Sequence, residues 1–151
     1  MKTTTLSASN TNRPSQTHRV AVYGSLRQGM GNHGLLRSAR FVGRFWTAPA
    51  YTMRSLGYFP GMIDGGDTAI LCEVYDVDDN TFDRLDVLES NGRYYERQRL
   101  PLVSDDPTAA DTLAWVYILM PGHRAGDRVI SGDWISYRTG TDAPSPPRHS
   151  R

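Results

Sequence analysis

Between Arg19 and Met120 short apolar runs alternate with turn-forming clusters, and the period of each run predicts its element. Arg19-Val20-Ala21-Val22-Tyr23 is rich in β-formers and stops at Gly24, the pattern of a buried strand. Gly29 and Gly31 keep the next loop irregular, and His33 to Ala39 can form a short helix. Phe41 to Met53 alternates like a strand but is interrupted by Pro49, and Gly57-Tyr58-Phe59-Pro60-Gly61 is turn chemistry. Thr68 to Val77 predicts the clearest strand of the middle region. Tyr94 to Val103 and Leu113 to Met120 predict two more, joined by a polar loop containing Asp105, Asp106 and Pro107.

One helix carries a start signal. Asp78-Asp79 supplies an N-cap, and Phe82, Leu85 and Leu88 mark an apolar stripe that ends near Ser90 or Asn91. Strands around one helix predict a mixed α+β domain on a small barrel-like sheet rather than a doubly wound fold. The ends bound this unit. Residues 1–18 have almost no apolar side chains to offset ordering entropy and predict a disordered leader. Residues 139–151, with Pro144, Pro146 and Pro147, predict a disordered tail, which leaves one domain over 19–138.

Composition narrows the class. Seventeen basic residues against sixteen acidic ones give a net charge of +1, without the basic excess expected of a nucleic-acid binder. No run approaches the ~18 apolar residues of a membrane span, and residues 1–18 lack the apolar core of a secretory signal. A cytoplasmic protein without membrane or nucleic-acid partners is expected. The single cysteine, Cys72, sits in an apolar alternation and reads as a buried structural thiol. No histidine pair has zinc spacing, and Ser25 lacks the setting of a hydrolase nucleophile. Neither metal nor cofactor is expected.

Two features carry chemistry. In Tyr23-Gly24-Ser25-Leu26-Arg27, a glycine directly after a buried strand lets the backbone turn and present successive N–H groups to an anion. Gly24, Ser25 and Leu26 are candidate donors to a carboxylate or an oxyanion. A phosphate loop is disfavoured, because Met30 and Gly31 stand where lysine and a hydroxyl residue are needed, and the loop loses its main charge. The second feature is Glu89, seven residues beyond Phe82 and four beyond Leu85. Two helical turns return it to the apolar stripe. Burial there would raise its pKa and fit it for general acid/base work. A frayed helix end would instead leave it in water, and helix geometry does not choose between these. Asp83 and Asp86 lie off the stripe and read as solvated charges.

The set Tyr23-Gly24-Ser25-Leu26-Arg27, Gly29, Asn32-His33, Leu85-Asp86-Val87-Leu88-Glu89-Ser90 and Tyr94-Tyr95-Glu96-Arg97 resembles the γ-glutamylcyclotransferase-like family. The Asn-His and Glu-Ser elements are most similar to its γ-glutamylamine cyclotransferase and AIG2-like branch, and the resemblance spans about residues 19–137. It implies a small mixed β-barrel with flanking helices and release of 5-oxoproline and a free amine from a γ-glutamyl small molecule. Glu89 would be the acid/base. Tyr23, Gly24, Ser25 and Leu26 would hold the γ-glutamyl group, with Arg27 as an electrostatic helper or an exposed neighbour. Tyr95, Tyr117 and Tyr137 match tyrosines near the family's pocket. Where many relatives carry Glu-Gly, this chain has Glu89-Ser90-Asn91-Gly92. A non-catalytic small-molecule binding module of the same fold is the alternative. Specificity for the leaving amine is expected from the loops Trp46–Pro60 and Pro121–Trp134.

Overall fold

The computed structural model describes residues 16–147, in which the apolar runs become strands of a closed barrel. β1 (Thr17–Val22), β2 (Arg40–Trp46), β5 (Leu71–Asp78), β6 (Tyr95–Ser104) and β7 (Thr112–Leu119) follow one another in the order β1-β5-β2-β6-β7. Neighbours are antiparallel except at the closing seam, where β7 runs parallel to β1 through Val20–Trp115 and Ala21–Val116. Closure removes the exposed sheet edges that an open sheet would carry. β3 (Tyr51–Ser55) and β4 (Pro60–Asp64) form a separate hairpin. A 3-10 turn covers His33–Leu36, and two helices complete the chain, α1 (Asp79–Leu88) and α2 (Trp134–Thr139).

Three expectations about the ends and turns are corrected. Thr17 and His18, placed in the leader by their polarity, pair with Asp78 and Val77 as the first residues of β1. The rest of the leader lies mostly outside the described residues. Thr139 closes α2, residues 141–147 have no regular structure, and 148–151 lie outside the described residues. The turn at Gly57–Gly61 is shorter than its composition suggests, because Pro60 and Gly61 already belong to β4. β4 is an edge strand, where a proline costs no ladder bond.

Period-two alternation sorts the strands' side chains into two packed layers. One gathers Ala21, Phe45, Cys72, Val74, Leu100, Leu102, Ala114, Val116 and Ile118 from all five barrel strands. The other uses the intervening residues Val20, Val22, Tyr75, Val77, Tyr117 and Leu119, which meet Phe82 and Leu85 of α1. β1, β5 and β7 are thus buried on both faces, the physical reason their sequences read as unbroken apolar runs. Cys72 is fully buried in the first layer, and burial pushes its thiol up to about 12. It behaves as a small packing residue.

α1 begins where its start signal lies. The Asp78 carboxylate accepts from the Thr81 N–H at 2.8 Å, a cap worth about 1 kcal/mol. Its apolar stripe is narrower than the three-residue spacing suggests. Each step of three residues falls about 60° short of a full turn, so Leu88 has drifted about 120° from Phe82 and is 40% exposed. Glu89, seven residues on, returns to within about 20° of Phe82. The helix then ends in a left-handed residue, Ser90, with φ 49°. Ser90 N–H donates to Val87 O at 3.1 Å and Asn91 N–H to Asp86 O at 2.9 Å. This is the Schellman termination, built here on serine where glycine is usual.

Candidate active site

The end of α1 and the loop after β1 face one another across a cavity of roughly 220 Å³. Tyr23, Gly24, Ser25 and Leu26 line one side and Leu88, Glu89 and Ser90 another; Phe59, Pro60, Tyr94, Tyr95 and Tyr117 complete the wall. The structure therefore brings together every predicted site residue except Arg27 and Tyr137. Tyr137 lies on α2, 40% exposed and stacked on Trp134.

The loop owes its shape to internal hydrogen bonds. Arg27 N–H donates to Gly24 O at 3.0 Å and Asn32 N–H to Ser25 O at 2.8 Å. The Asn32 side chain donates to Ser25 Oγ at 3.0 Å, and His33 Nδ1 lies 2.9 Å from Leu26 O. The loop's carbonyls are thereby occupied. Among the described residues, the N–H groups of Gly24, Ser25 and Leu26 find no acceptor. Donors left unpaired at a cavity wall are a fixed positive surface for an anion. Gly24 itself is required by close approach rather than by an unusual φ: a Cβ there would lie 2.6 Å from Pro60 Cδ.

Tyrosine hydroxyls lock the remaining walls. Tyr23 Oη donates to Tyr117 O at 2.6 Å and accepts from Met62 N–H at 3.0 Å, which ties β4 to β7. Tyr95 Oη donates to Pro60 O at 2.8 Å. Tyr117 Oη donates to Asp86 Oδ1 at 2.6 Å. Burial, reinforced by the nearby Glu89 carboxyl, holds all three phenols well above the ordinary tyrosine range. They shape the cavity as neutral groups. Asp86 is accordingly no free surface charge, because besides Tyr117 it pairs with Arg97 at 3.1 Å. The Arg97 guanidinium also lies over Phe82 and Trp115.

Among the described residues Glu89 is the one carboxyl on this wall. As C-cap residue of α1 it donates its N–H to Leu85 O, but its side chain makes no hydrogen bond among the described residues. Burial alone pushes its pKa up to about 7. The helix-stripe placement is the one realised, and a carboxyl poised near neutrality can both take and return a proton.

Arg27 takes a different role from the expected one. Only 4% exposed, it turns away from the cavity and donates through Nε to Glu73 at 3.0 Å and through Nη1 to Asp133 at 2.6 Å. Gln28 N–H and Tyr75 Oη add bonds to Glu73, and Ser136 Oγ and Ile135 N–H add bonds to Asp133. Burial pushes Asp133 up, but the Ser136 hydroxyl and Arg27 outweigh it and hold the carboxyl below its usual range. Glu73 and Asp133 lie 46 and 106 residues from Arg27, too far for local sequence to link them. Phe59, Leu88 and Tyr94 are further cavity residues; Leu88 and Tyr94 fall inside the motifs that carry the resemblance and Phe59 inside the loop expected to set specificity, but none of the three was singled out as a site residue. No group of three or more metal-ligating side chains occurs among the described residues.

A closed mixed barrel of this kind is the fold of AIG2-like proteins: a mouse AIG2-like protein superimposes with a TM-score of 0.64 at 22% identity, over 90% of this chain and 99% of its own. The sequence agrees across the domain. Residues 20–136 match the family described as gamma-glutamyl cyclotransferase, AIG2-like, and the chain belongs to that family. A protein of Vibrio cholerae provisionally named a γ-glutamylcyclotransferase is 38% identical over 117 residues, covering 78% of this chain and 95% of its own. A γ-glutamylcyclotransferase family protein of Escherichia coli is 34% identical over 117 residues, covering 78% and 96%. An uncharacterised protein of Pyrococcus horikoshii has a solved structure that superimposes with a TM-score of 0.64 at 30% identity, over 82% and 94%.

Proposed function

We propose that the protein is a γ-glutamylcyclotransferase that releases 5-oxoproline and a free amine from a γ-glutamyl compound. The observation that carries this reading is a carboxyl, Glu89, sharing one cavity with three main-chain donors, all of them without a hydrogen-bond partner among the described residues. In such a substrate the α-nitrogen attacks its own γ-carbonyl, so no second molecule must be captured. A C–N bond closes the five-membered ring and the bond to the leaving nitrogen breaks. Glu89 takes a proton from the α-ammonium and delivers it to the departing nitrogen. The ring nitrogen sheds a second proton through the same carboxyl to the amine, which leaves as ammonium and balances the charge. The amides of Gly24 to Leu26 bind one of the anions that forms or is already present. One such donor aimed at a developing oxyanion supplies about 3 kcal/mol.

The test is 5-oxoproline release from a panel of γ-glutamyl compounds, followed by mass spectrometry. Wild type should turn over at least one, with kcat/KM rising as pH climbs through about 7. Glu89→Gln should lose about 10²–10⁴-fold in kcat. Equal product from wild type and Glu89→Gln would remove the acid/base assignment. Ligand-induced thermal stabilisation without product across the panel would identify a binding module instead.

A further inference from the structure

Apolar packing stops short of the last turn of α1. Leu85 is fully buried, but beyond it Val87 is 79% exposed and Leu88 40%. A helix of ten residues is marginal by itself, and helix ends are where fraying starts. Glu89 closes this turn with a side chain that makes no hydrogen bond among the described residues. What reaches the turn comes from β6 and β7. Arg97 and Tyr117 stand opposite one another across the two strands and approach the same carboxylate oxygen. Tyr117 Oη donates to Asp86 Oδ1 at 2.6 Å, and Arg97 Nε lies 3.1 Å from it. Nε makes no hydrogen bond among the described residues, so this second contact is one of charge. The guanidinium is kept there by the rings of Phe82 and Trp115, 4.3 and 4.8 Å from their centroids. Past the helix end, the Arg97 main-chain N–H donates to Asn91 Oδ1 at 3.0 Å. One residue of β6 thus meets α1 at Phe82 and Asp86 and holds the chain again at Asn91, on either side of Glu89.

We propose that Arg97 is a positioning residue, which by gripping Asp86 and Asn91 keeps the last turn of α1 closed and the Glu89 carboxyl inside the cavity. Its meaning for catalysis rests on the reaction proposed above. Helix geometry leaves a frayed end and a buried carboxyl equally open, and the grip from β6 selects burial. The groups facing Glu89 are the neutral phenols of Tyr23, Tyr95 and Tyr117, from the end of β1, from β6 and from β7, together with Tyr94. Asp86 stands one turn back on α1. Removing Arg97 withdraws a cation, which by charge alone pushes a carboxyl's titration up. Opening the turn admits water and moves it down. The two causes differ in sign.

Glu73, Glu89 and Glu96 are the chain's glutamates, so glutamate labelled with carbon-13 at the carboxyl gives an NMR titration that Glu89→Gln assigns. The Glu89 signal should titrate at about 7 in wild type. In Arg97→Met it should move down by at least about one pH unit, toward the ordinary 4.5. Asn91→Ala removes the second hold without touching a charge; it should move the signal the same way by less, and it serves where Arg97→Met does not fold. Arg99→Met, on the same strand and over the same Trp115 ring, should leave the signal in place. With a turned-over substrate, the pH at which kcat/KM rises should fall together with the NMR midpoint, and kcat should drop about tenfold while KM changes little. An unchanged or raised midpoint in the folded variants of Arg97 and Asn91 overturns the positioning role, whatever stability they lose. Absence of 5-oxoproline with wild type overturns the reaction instead, and the NMR midpoints still decide the grip.

Discussion

Two regions of this small barrel draw carboxyl groups out of water, Glu73 and Asp133 fully and Glu89 in part, and treat them in opposite ways. Glu73 and Asp133 are each matched by Arg27, and each takes further bonds from main-chain or hydroxyl donors. Glu89, on the cavity side of the same loop, has none among the described residues. A matched carboxylate is held in one protonation state and one place, which suits a structural joint. An unmatched one sits near its own midpoint and is free to exchange a proton. Consecutive residues connect the two regions: Leu26 lines the cavity while Arg27 enters the ion network. The network thus anchors the segment whose residues share the cavity with Glu89.

The largest effect should come from breaking the matched side. Arg27→Met leaves two buried carboxylates without their cation, and loss of one partner of a buried pair costs about 3–5 kcal/mol. Urea unfolding should show that as a large drop in midpoint. Arg27→Lys serves where the methionine variant does not fold, since a lysine keeps the charge but lacks the fork that reaches both acids. It should also lose stability, by less. A wild-type midpoint in either variant would show that the network is not a structural joint.

The unmatched side should respond with the opposite sign. Glu89 rises from an ordinary 4.5 to about 7 on folding, so the folded state holds its proton more tightly than the unfolded chain does. Its contribution to stability is complete below pH 4.5 and is lost as pH climbs through 7. Glu89→Gln should therefore match wild type at pH 4 and exceed it at pH 8 by on the order of 2 kcal/mol. The measurement is thermal unfolding at both pH values. A variant less stable than wild type at pH 8 would mean that the carboxylate has a partner after all.

The sequence made the unmatched side more legible than the matched one. Glu89 could be put on the apolar stripe because its distance from Phe82 is close to a whole number of helical turns, a local relation, although that relation did not choose between burial and a frayed end. The loop donors were legible for the same reason, as a glycine beside a buried strand. Arg27 was not, since an arginine next to a turn normally faces water, and its acids arrive from β5 and from the cap of α2. α2 itself was passed over because six residues carry too little periodicity, although Asp133 and Gly140 are its N-cap and left-handed C-terminal residue and could have marked it. Asp86 was misjudged as solvated because Tyr117 reaches it across 31 residues. Local geometry survives in sequence, and long-range charge pairing does not.

The smallest effect sits at the join between helix and cavity. Ser90 is the only non-glycine residue with positive φ among the described residues, and it comes directly after Glu89. A left-handed conformation costs a side-chain-bearing residue about 1–2 kcal/mol, while glycine adds unfolded-state entropy that takes back about 0.4–1 kcal/mol. Ser90→Gly should then raise stability by roughly 0.5 kcal/mol, visible as a small increase in thermal midpoint. Because the Schellman bonds to Val87 and Asp86 come from the main chain, the substitution leaves the position of Glu89 intact, and kcat should hold. A fall in kcat with stability raised would reveal work done by the Ser90 hydroxyl, which lines the cavity. The serine would then be a cost in fold stability kept for the chemistry beside it.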